Sequence, residues 1–174
     1  MDINCGDILS RGISIHAKGD EILGKIIAVA SGEQTFSEQL GLGGAEFVQF
    51  VDGDCKVQPG WLPAAAAFLD AHPKTAVVCG RRREIHPEAS IWNRLCDAEW
   101  DTPVGPAKAC GGDALMRVEA LAAVGGYDPT LIAGEEPELC VRLRQAGWEV
   151  WRIDQEMTLH DAALTRVGQW WKRT

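Results

Sequence analysis

Residues 47–51, Phe-Val-Gln-Phe-Val, are apolar at four of five positions and run straight into Asp52-Gly53-Asp54. A run this continuous is expected of a strand covered on both faces, as in a parallel sheet with helices on either side. Two carboxylates one residue apart at the end of such a strand repel each other unless a cation sits with them. Ligands in open α/β sheets collect beyond the carboxyl ends of the strands, which is where this pair falls. Gly53 lets the backbone turn so that both carboxylates can face one point. Hard oxygen ligands of this kind suit Mg2+ or Mn2+, which commonly bridge carboxylates to a diphosphate. An Asp-Gly turn after a strand is the plain alternative.

The rest of the chain alternates in the same way. Pro59–His72 reads as a helix with Trp61, Ala65, Phe68 and Leu69 on one face and Pro73 beyond its end. Thr75–Cys79 reads as a short strand closed by Gly80, and an irregular segment with a basic start, Arg81-Arg82-Arg83, follows as far as Cys110. Ala114–Met116 is expected as a strand, Val118–Val124 as a helix stopped by Gly125-Gly126, Glu138–Ala146 as a helix ending at Gly147, and Trp148–Ile153 as a strand. Residues 1–44 are weakly patterned: Ile22–Ala30 fits a strand or a short helix, and Ser31–Gly44 reads as loop. The expected class is α/β, a mostly parallel sheet flanked by helices, in one domain of 174 residues.

Charge and cysteine usage narrow the partners. A formal net charge of −8 argues against nucleic acid, which needs a basic face. Cys5, Cys55, Cys79, Cys96, Cys110 and Cys140 are scattered without a C-x-x-C pair, as expected of reduced thiols in a cytoplasmic protein. No apolar run approaches the roughly 18 residues of a membrane span, and the amino terminus lacks a signal-peptide core. Near the carboxyl end, Gln169-Trp170-Trp171-Lys172-Arg173 mixes aromatics with cations. It reads either as a peripheral membrane contact through Trp170 and Trp171 or as the start of a helix.

Three further groups carry chemistry. In Gly134-Glu135-Glu136-Pro137, proline suits the first helical position, which makes Glu136 the expected N-cap. Both glutamates then lie at the positive end of a helix dipole, a setting for a general base, although acidic residues also occur there for capping alone. His160-Asp161 offers an imidazole that could complete a metal shell begun by Asp52 and Asp54, its ring oriented by a hydrogen-bond acceptor behind it. Adjacent His-Asp also occurs in metal phosphohydrolases, but their further histidines and aspartate have no counterparts here. Gly111-Gly112-Asp113 permits close approach of backbone to a ligand and leaves a carboxylate for sugar hydroxyls; a tight turn into the next strand is the alternative.

In order, residues 47–55, Cys110-Gly-Gly-Asp-Ala-Leu-Met-Arg117, Val124-Gly-Gly-Tyr-Asp128, Gly134-Glu-Glu-Pro-Glu-Leu-Cys-Val-Arg-Leu143 and Met157-Thr-Leu-His-Asp-Ala-Ala163 resemble the family-2 glycosyltransferases of the GT-A fold. The resemblance covers residues 45–174. It implies inverting transfer of a sugar from a UDP- or GDP-sugar to a hydroxyl of a polysaccharide, glycolipid or other lipid-linked acceptor. It also implies Mn2+ or Mg2+ held by Asp52, Asp54 and His160, donor contacts from Asp52, Asp54, Gly112 and Asp113, and Glu136, with Glu135 second, as the base.

Residues 1–44 depart from that pattern. The Pro-x-x-Asn-like and Asp-Asp-Gly-Ser-like turns that form much of the family's nucleotide pocket are missing there, so this part is expected to be divergent or truncated. A catalytically impaired fragment acting as a structural or partner-binding module is therefore the alternative function. A nucleotidyltransferase would need a basic glycine-rich loop, and Gly41-Leu-Gly-Gly44 carries no Lys or Arg.

Overall fold

The computed structural model describes residues 26–30, 45–131 and 133–173. The readings made for residues 1–25 and 31–44 lie outside the described residues. Along the chain the elements are β1 (Ile26–Ala30), β2 (Phe47–Val51), β3 (Cys55–Val57), α1 (Trp61–Ala71), β4 (Thr75–Glu84) and α2 (Ile91–Glu99). They continue with β5 (Gly105–Pro106), β6 (Ala114–Arg117), α3 (Val118–Val124), α4 (Glu135–Gln145), β7 (Glu149–His160) and α5 (Val167–Arg173).

The strands form one sheet in the order β1-β2-β6-β4-β7-β3, with β5 on the side of β7. β2 is buried at every position, as its apolar run requires. Only β1–β2 and β4–β7 pair in parallel among the described strands; β2–β6, β4–β6, β3–β7 and β5–β7 are antiparallel. The sheet is thus mixed rather than mostly parallel. The antiparallel β6 matters for the site: its amino end lies beside the carboxyl end of β2, with Ala114 opposite Phe50. Phe47, Val48, Leu115, Met116, Val77 and Val150 are among the sheet residues of the core, with Trp61 and Leu69 of α1 and Leu139 and Leu143 of α4.

Several boundaries move for local reasons. α1 begins at Trp61 because Gly60 turns left-handed at φ 84, so Pro63 falls in the first turn where its missing N–H costs nothing. Trp61, Ala65 and Leu69 are buried as expected, with Ala66, while Phe68 stacks on His72 at the helix edge. β4 does not stop at Gly80. Ile153, Asp154 and Gln155 of β7 face Gly80 alone between the pairs Cys79–Arg152 and Arg81–Glu156, which is a bulge. A Cβ at Gly80 would lie 2.5 Å from the Gln155 carbonyl oxygen, so glycine is there for close approach. The strand then carries all three arginines forward, and β7 runs on through His160 rather than ending at Ile153.

α2 occupies part of the segment read as irregular. Ser90 caps it, accepting from the Asn93 amide at 3.0 Å. Its buried face is Asn93 and Cys96, whereas Ile91 is 69% exposed, so hydrophobic periodicity gives no sign of it. α4 starts at Glu135 behind Gly134 at φ 79, which puts Glu136 inside the first turn and not at the N-cap. The structure also places Val167–Arg173 in a helix, with Trp171 73% exposed.

Candidate active site

The carboxyl ends of β2, β4 and β7 and the amino end of β6 meet at one edge of the sheet. Asp52 leaves β2 there, and a turn closed by the Cys55 amide donating to the Asp52 carbonyl at 2.9 Å carries Gly53 and Asp54. β3 then pairs back on β7 with Cys55 opposite His160. That pairing sets Asp54 Oδ2 3.1 Å from His160 Nε2.

Asp52 has a different partner. Arg82 Nη2 donates to Asp52 Oδ2 at 2.9 Å and pairs with Asp113 Oδ2 at 3.0 Å. Asp113 is 0% exposed, and it also accepts from the Asp52 amide at 2.8 Å and the Thr158 hydroxyl at 2.6 Å. It therefore ties β2, β4, β6 and β7 together beneath the surface. Burial disfavours the Arg82 charge, but the Asp113 and Asp52 carboxylates more than offset this and leave its pKa raised. The guanidinium also lies 5.6 Å from the centre of the Trp100 ring, which stands T-shaped to the His160 ring with centroids 4.8 Å apart.

The like charges at the end of β2 are thus accommodated by protein groups: Asp52 by Arg82, Asp54 by His160. Arg82, Trp100 and Thr158 are site residues that sequence reasoning missed. Arg82 had a signal, since in an extended strand alternate side chains of Arg81-Arg82-Arg83 point to opposite faces. Arg81 accordingly pairs with Asp97 at 3.0 Å and Arg83 with Glu156 at 2.8 Å, while Arg82 turns to the site.

Gly112 is a close-approach glycine, and what approaches it is Asp52. A Cβ there would lie 2.4 Å from Asp52 Oδ1 and 2.8 Å from Oδ2. Gly112→Ala is expected to push that carboxylate off Arg82 and to cost about 1–3 kcal/mol, read as a lower urea midpoint. The loss should shrink in an Asp52→Ala background. An equal loss there would mean that Asp52 is not what the methyl group strikes.

The three residues expected to share a metal separate into two neighbouring groups. Asp54, Cys55 and His160 have ligand atoms within 4.8 Å of one another, and Asp52, Cys55 and Asp113 form a second such set. Burial, then the Asp113 charge, pushes the Cys55 thiol up, so it stands between the two sets as a neutral group. An exposed carboxylate beside an imidazole nitrogen fits a divalent cation, and Asp54 is 60% exposed. His160 Nδ1 is buried with no hydrogen-bond partner among the described residues, which supply no acceptor behind the ring. No described residue on that side fixes the tautomer, and Nε2 can present a proton to Asp54 or a lone pair to an ion.

The acidic pair of α4 divides as well. Glu135 is exposed, whereas Glu136 is 6% exposed. Glu136 Oε1 accepts from the Cys110 amide at 2.7 Å and from the thiols of Cys110 at 3.0 Å and Cys140 at 2.9 Å. Tyr127 lies edge-on to Phe50 at 5.2 Å, and burial pushes its phenol up, with Cys110 and Glu136 adding to the effect. The tetrapeptide Cys110-Gly111-Gly112-Asp113 therefore joins the two halves of the site: its first residue holds Glu136, its last holds Asp52.

The succinoglycan biosynthesis protein ExoA of Rhizobium meliloti is 39% identical over 62 residues, 36% of this chain and 19% of that protein. The pre-mycofactocin glycosyltransferase of Mycobacterium tuberculosis is 28% identical over 137 residues, 72% of this chain and 28% of that protein. The chain thus spans well under a third of the length of these curated relatives. Among solved structures, S. aureus TarS matches with a TM-score of 0.50 and 15% identity, over 67% of this chain and 22% of that one. A crystal structure of GalNAc-T7 with UDP, GalNAc and Mn2+ matches with a TM-score of 0.51 and 16% identity, over 67% of this chain and 27% of that one. Residues 1–54 match the family model described as D-galactarate/altronate dehydratase, C-terminal.

Proposed function

We propose that this chain is a GT-A-type family-2 glycosyltransferase, as its relatives and its fold support, and that it carries the metal-binding and acceptor-activating half of such an enzyme. The reaction is transfer of a sugar from a UDP- or GDP-sugar to a hydroxyl of a glycan or lipid-linked acceptor, with inversion. The observation that carries this reading is the Asp54–His160 pair, 3.1 Å apart at the carboxyl edge of the sheet, set beside the Asp52–Arg82–Asp113 group. A curated relative named as a glycosyltransferase supports the reaction class, and the Mn2+ in the GalNAc-T7 complex supports the ion.

Asp54 and His160 would hold Mn2+ or Mg2+, whose charge offsets that developing on the leaving diphosphate. Asp52 and Asp113, fixed by Arg82, position the edge on which the donor lies. Glu136 accepts the proton of the attacking hydroxyl, its Oε1 held in place by the Cys110 amide. Glu135, exposed on the same turn, is the second choice. No helix among the described residues is long and apolar enough to cross a membrane. The exposed Trp171 supports contact with a membrane surface, where a lipid-linked acceptor would lie.

A second reading is favoured by one specific observation. The dehydratase match over residues 1–54 supports the view that residues 1–44 do not supply the nucleotide half, leaving a catalytically impaired module. Calorimetric titration of UDP, GDP and their sugars, with and without Mn2+, separates the two. Under the first reading, binding requires Mn2+ and disappears in Asp54→Ala. Absence of binding by the folded full chain would establish the second.

A further inference from the structure

Cys110, Cys140 and Glu136 bring two thiol sulfurs and a carboxylate oxygen within 4.8 Å of one another, away from the Asp54–His160 pair. Glu136 and Cys140 lie one turn apart on α4, and Cys110 comes from the loop before β6. Three donors converge on the single oxygen Glu136 Oε1: the Cys110 amide at 2.7 Å and the two thiols at 3.0 and 2.9 Å. A carboxylate oxygen offers about two lone-pair directions, and the Cys110 thiol also lies 3.5 Å from the Gly111 carbonyl oxygen, so both sulfurs face the carboxylate and the Cys110 proton does not depend on it. The three ligands come from two separate segments, and the half-buried Cys110 gives an ion a way in.

We propose that Cys110, Cys140 and Glu136 form a binding site for one thiophilic divalent cation of the Zn2+ class. Two soft sulfurs and one carboxylate oxygen are ligands that Zn2+ takes, with water in the fourth tetrahedral position. On binding, two S–Zn bonds and one O–Zn bond form, and both thiol protons leave to solvent; nothing is oxidised or reduced. The Cys110 amide keeps its hydrogen bond to Glu136, so the carboxylate needs little reorientation. An ion here would engage Glu136 and so block its role in transfer. That consequence rests on the functional reading above, whereas metal binding itself does not.

The test uses Co2+ as a spectroscopic probe, titrated into the reduced, metal-free full chain. A thiolate-to-cobalt charge-transfer band should saturate at one equivalent and be displaced by Zn2+. Cys110→Ser and Cys140→Ser should each weaken binding by more than the roughly 10–100-fold that loss of an outer-shell partner costs. Cys55→Ser and Cys79→Ser should leave the band in place, which separates this site from the Asp54–Cys55–His160 group. Should Cys140→Ser fail to fold by circular dichroism, Cys110→Ser, at a half-buried loop position, carries the test. Absence of the band in the folded protein, its survival in both Cys110→Ser and Cys140→Ser, or its loss in Cys55→Ser overturns the proposal. A band that depends on Cys110, in a chain that binds no nucleotide sugar, would keep the zinc site and remove the transferase reading.

Discussion

Arg82→Met should lower the stability of the protein by about 3–5 kcal/mol, the range seen when one partner of a buried ion pair is removed. The guanidinium serves two carboxylates, Asp113 at 3.0 Å and Asp52 at 2.9 Å, and Asp113 has no exposed surface. Methionine fills much of the same volume, so the loss is the uncompensated Asp113 charge rather than a cavity. The Asp52 amide and the Thr158 hydroxyl still solvate that carboxylate, which places the expectation at the lower end of the range. Combining Arg82→Met with Asp113→Asn should recover a substantial part of the loss, because a neutral amide needs no cation. Urea unfolding at unchanged slope is the measurement. A loss below about 1 kcal/mol would make Arg82–Asp113 no more than an exposed pair.

Trp61→Ala should cost about 3–5 kcal/mol as a large core truncation. Trp61 is fully buried at the start of α1, and its ring lies across Gly80, where a Cβ would stand 2.7 Å from ring carbon Cζ3. Its indole N–H donates to Gln49 Oε1 at 2.7 Å, and Gln49 Nε2 donates in turn to the Phe50 carbonyl at 2.6 Å. Both residues are buried, so Trp61→Phe separates the hydrogen bond from the bulk of the ring: it leaves the Gln49 carbonyl without its donor, for about 1–3 kcal/mol. Gln49→Leu together with Trp61→Phe should be less destabilised than Trp61→Phe alone. Greater destabilisation in the double variant would falsify this account of the pair. Because Asp52 directly follows β2, amide exchange at Asp52, which donates to Asp113, should quicken in Trp61→Ala.

Much of the architecture was legible in local chemistry. The apolar run of β2 fixed a fully covered strand, and Gly125, left-handed at φ 80, closed α3 where the glycine pair placed its end. The boundaries at Gly80 and Pro137 move for one cause: glycine and proline punctuate a sequence locally, but tertiary contacts give them other duties at these positions. Gly80 is a bulge forced by the Gln155 carbonyl and not a strand end, and Pro137 lies inside α4 because Gly134 starts the helix. α2 was hidden for a different reason. It turns a polar residue, Asn93, inward to bond Glu84 Oε1 at 3.2 Å and the His86 carbonyl at 3.1 Å, while Ile91 faces out.

The sequence by itself determined that Asp52 and Asp54 stand at a strand's end, that an acidic pair opens a helix near Gly134, and that His160 follows a carboxy-terminal strand. Spacing along the chain is enough for that, since strand periodicity and turn chemistry are local. Only the tertiary structure decided which charge faces which. Asp52 meets Arg82, 30 residues away in sequence, because the bulge at Gly80 carries β4 on to the site edge. Asp113 lies under Asp52 because β6 runs antiparallel to β2, and Glu136 meets Cys110 because α4 packs its first turn against the loop before β6. Electrostatic pairing depends on distance through space, and a one-dimensional pattern carries no record of that distance.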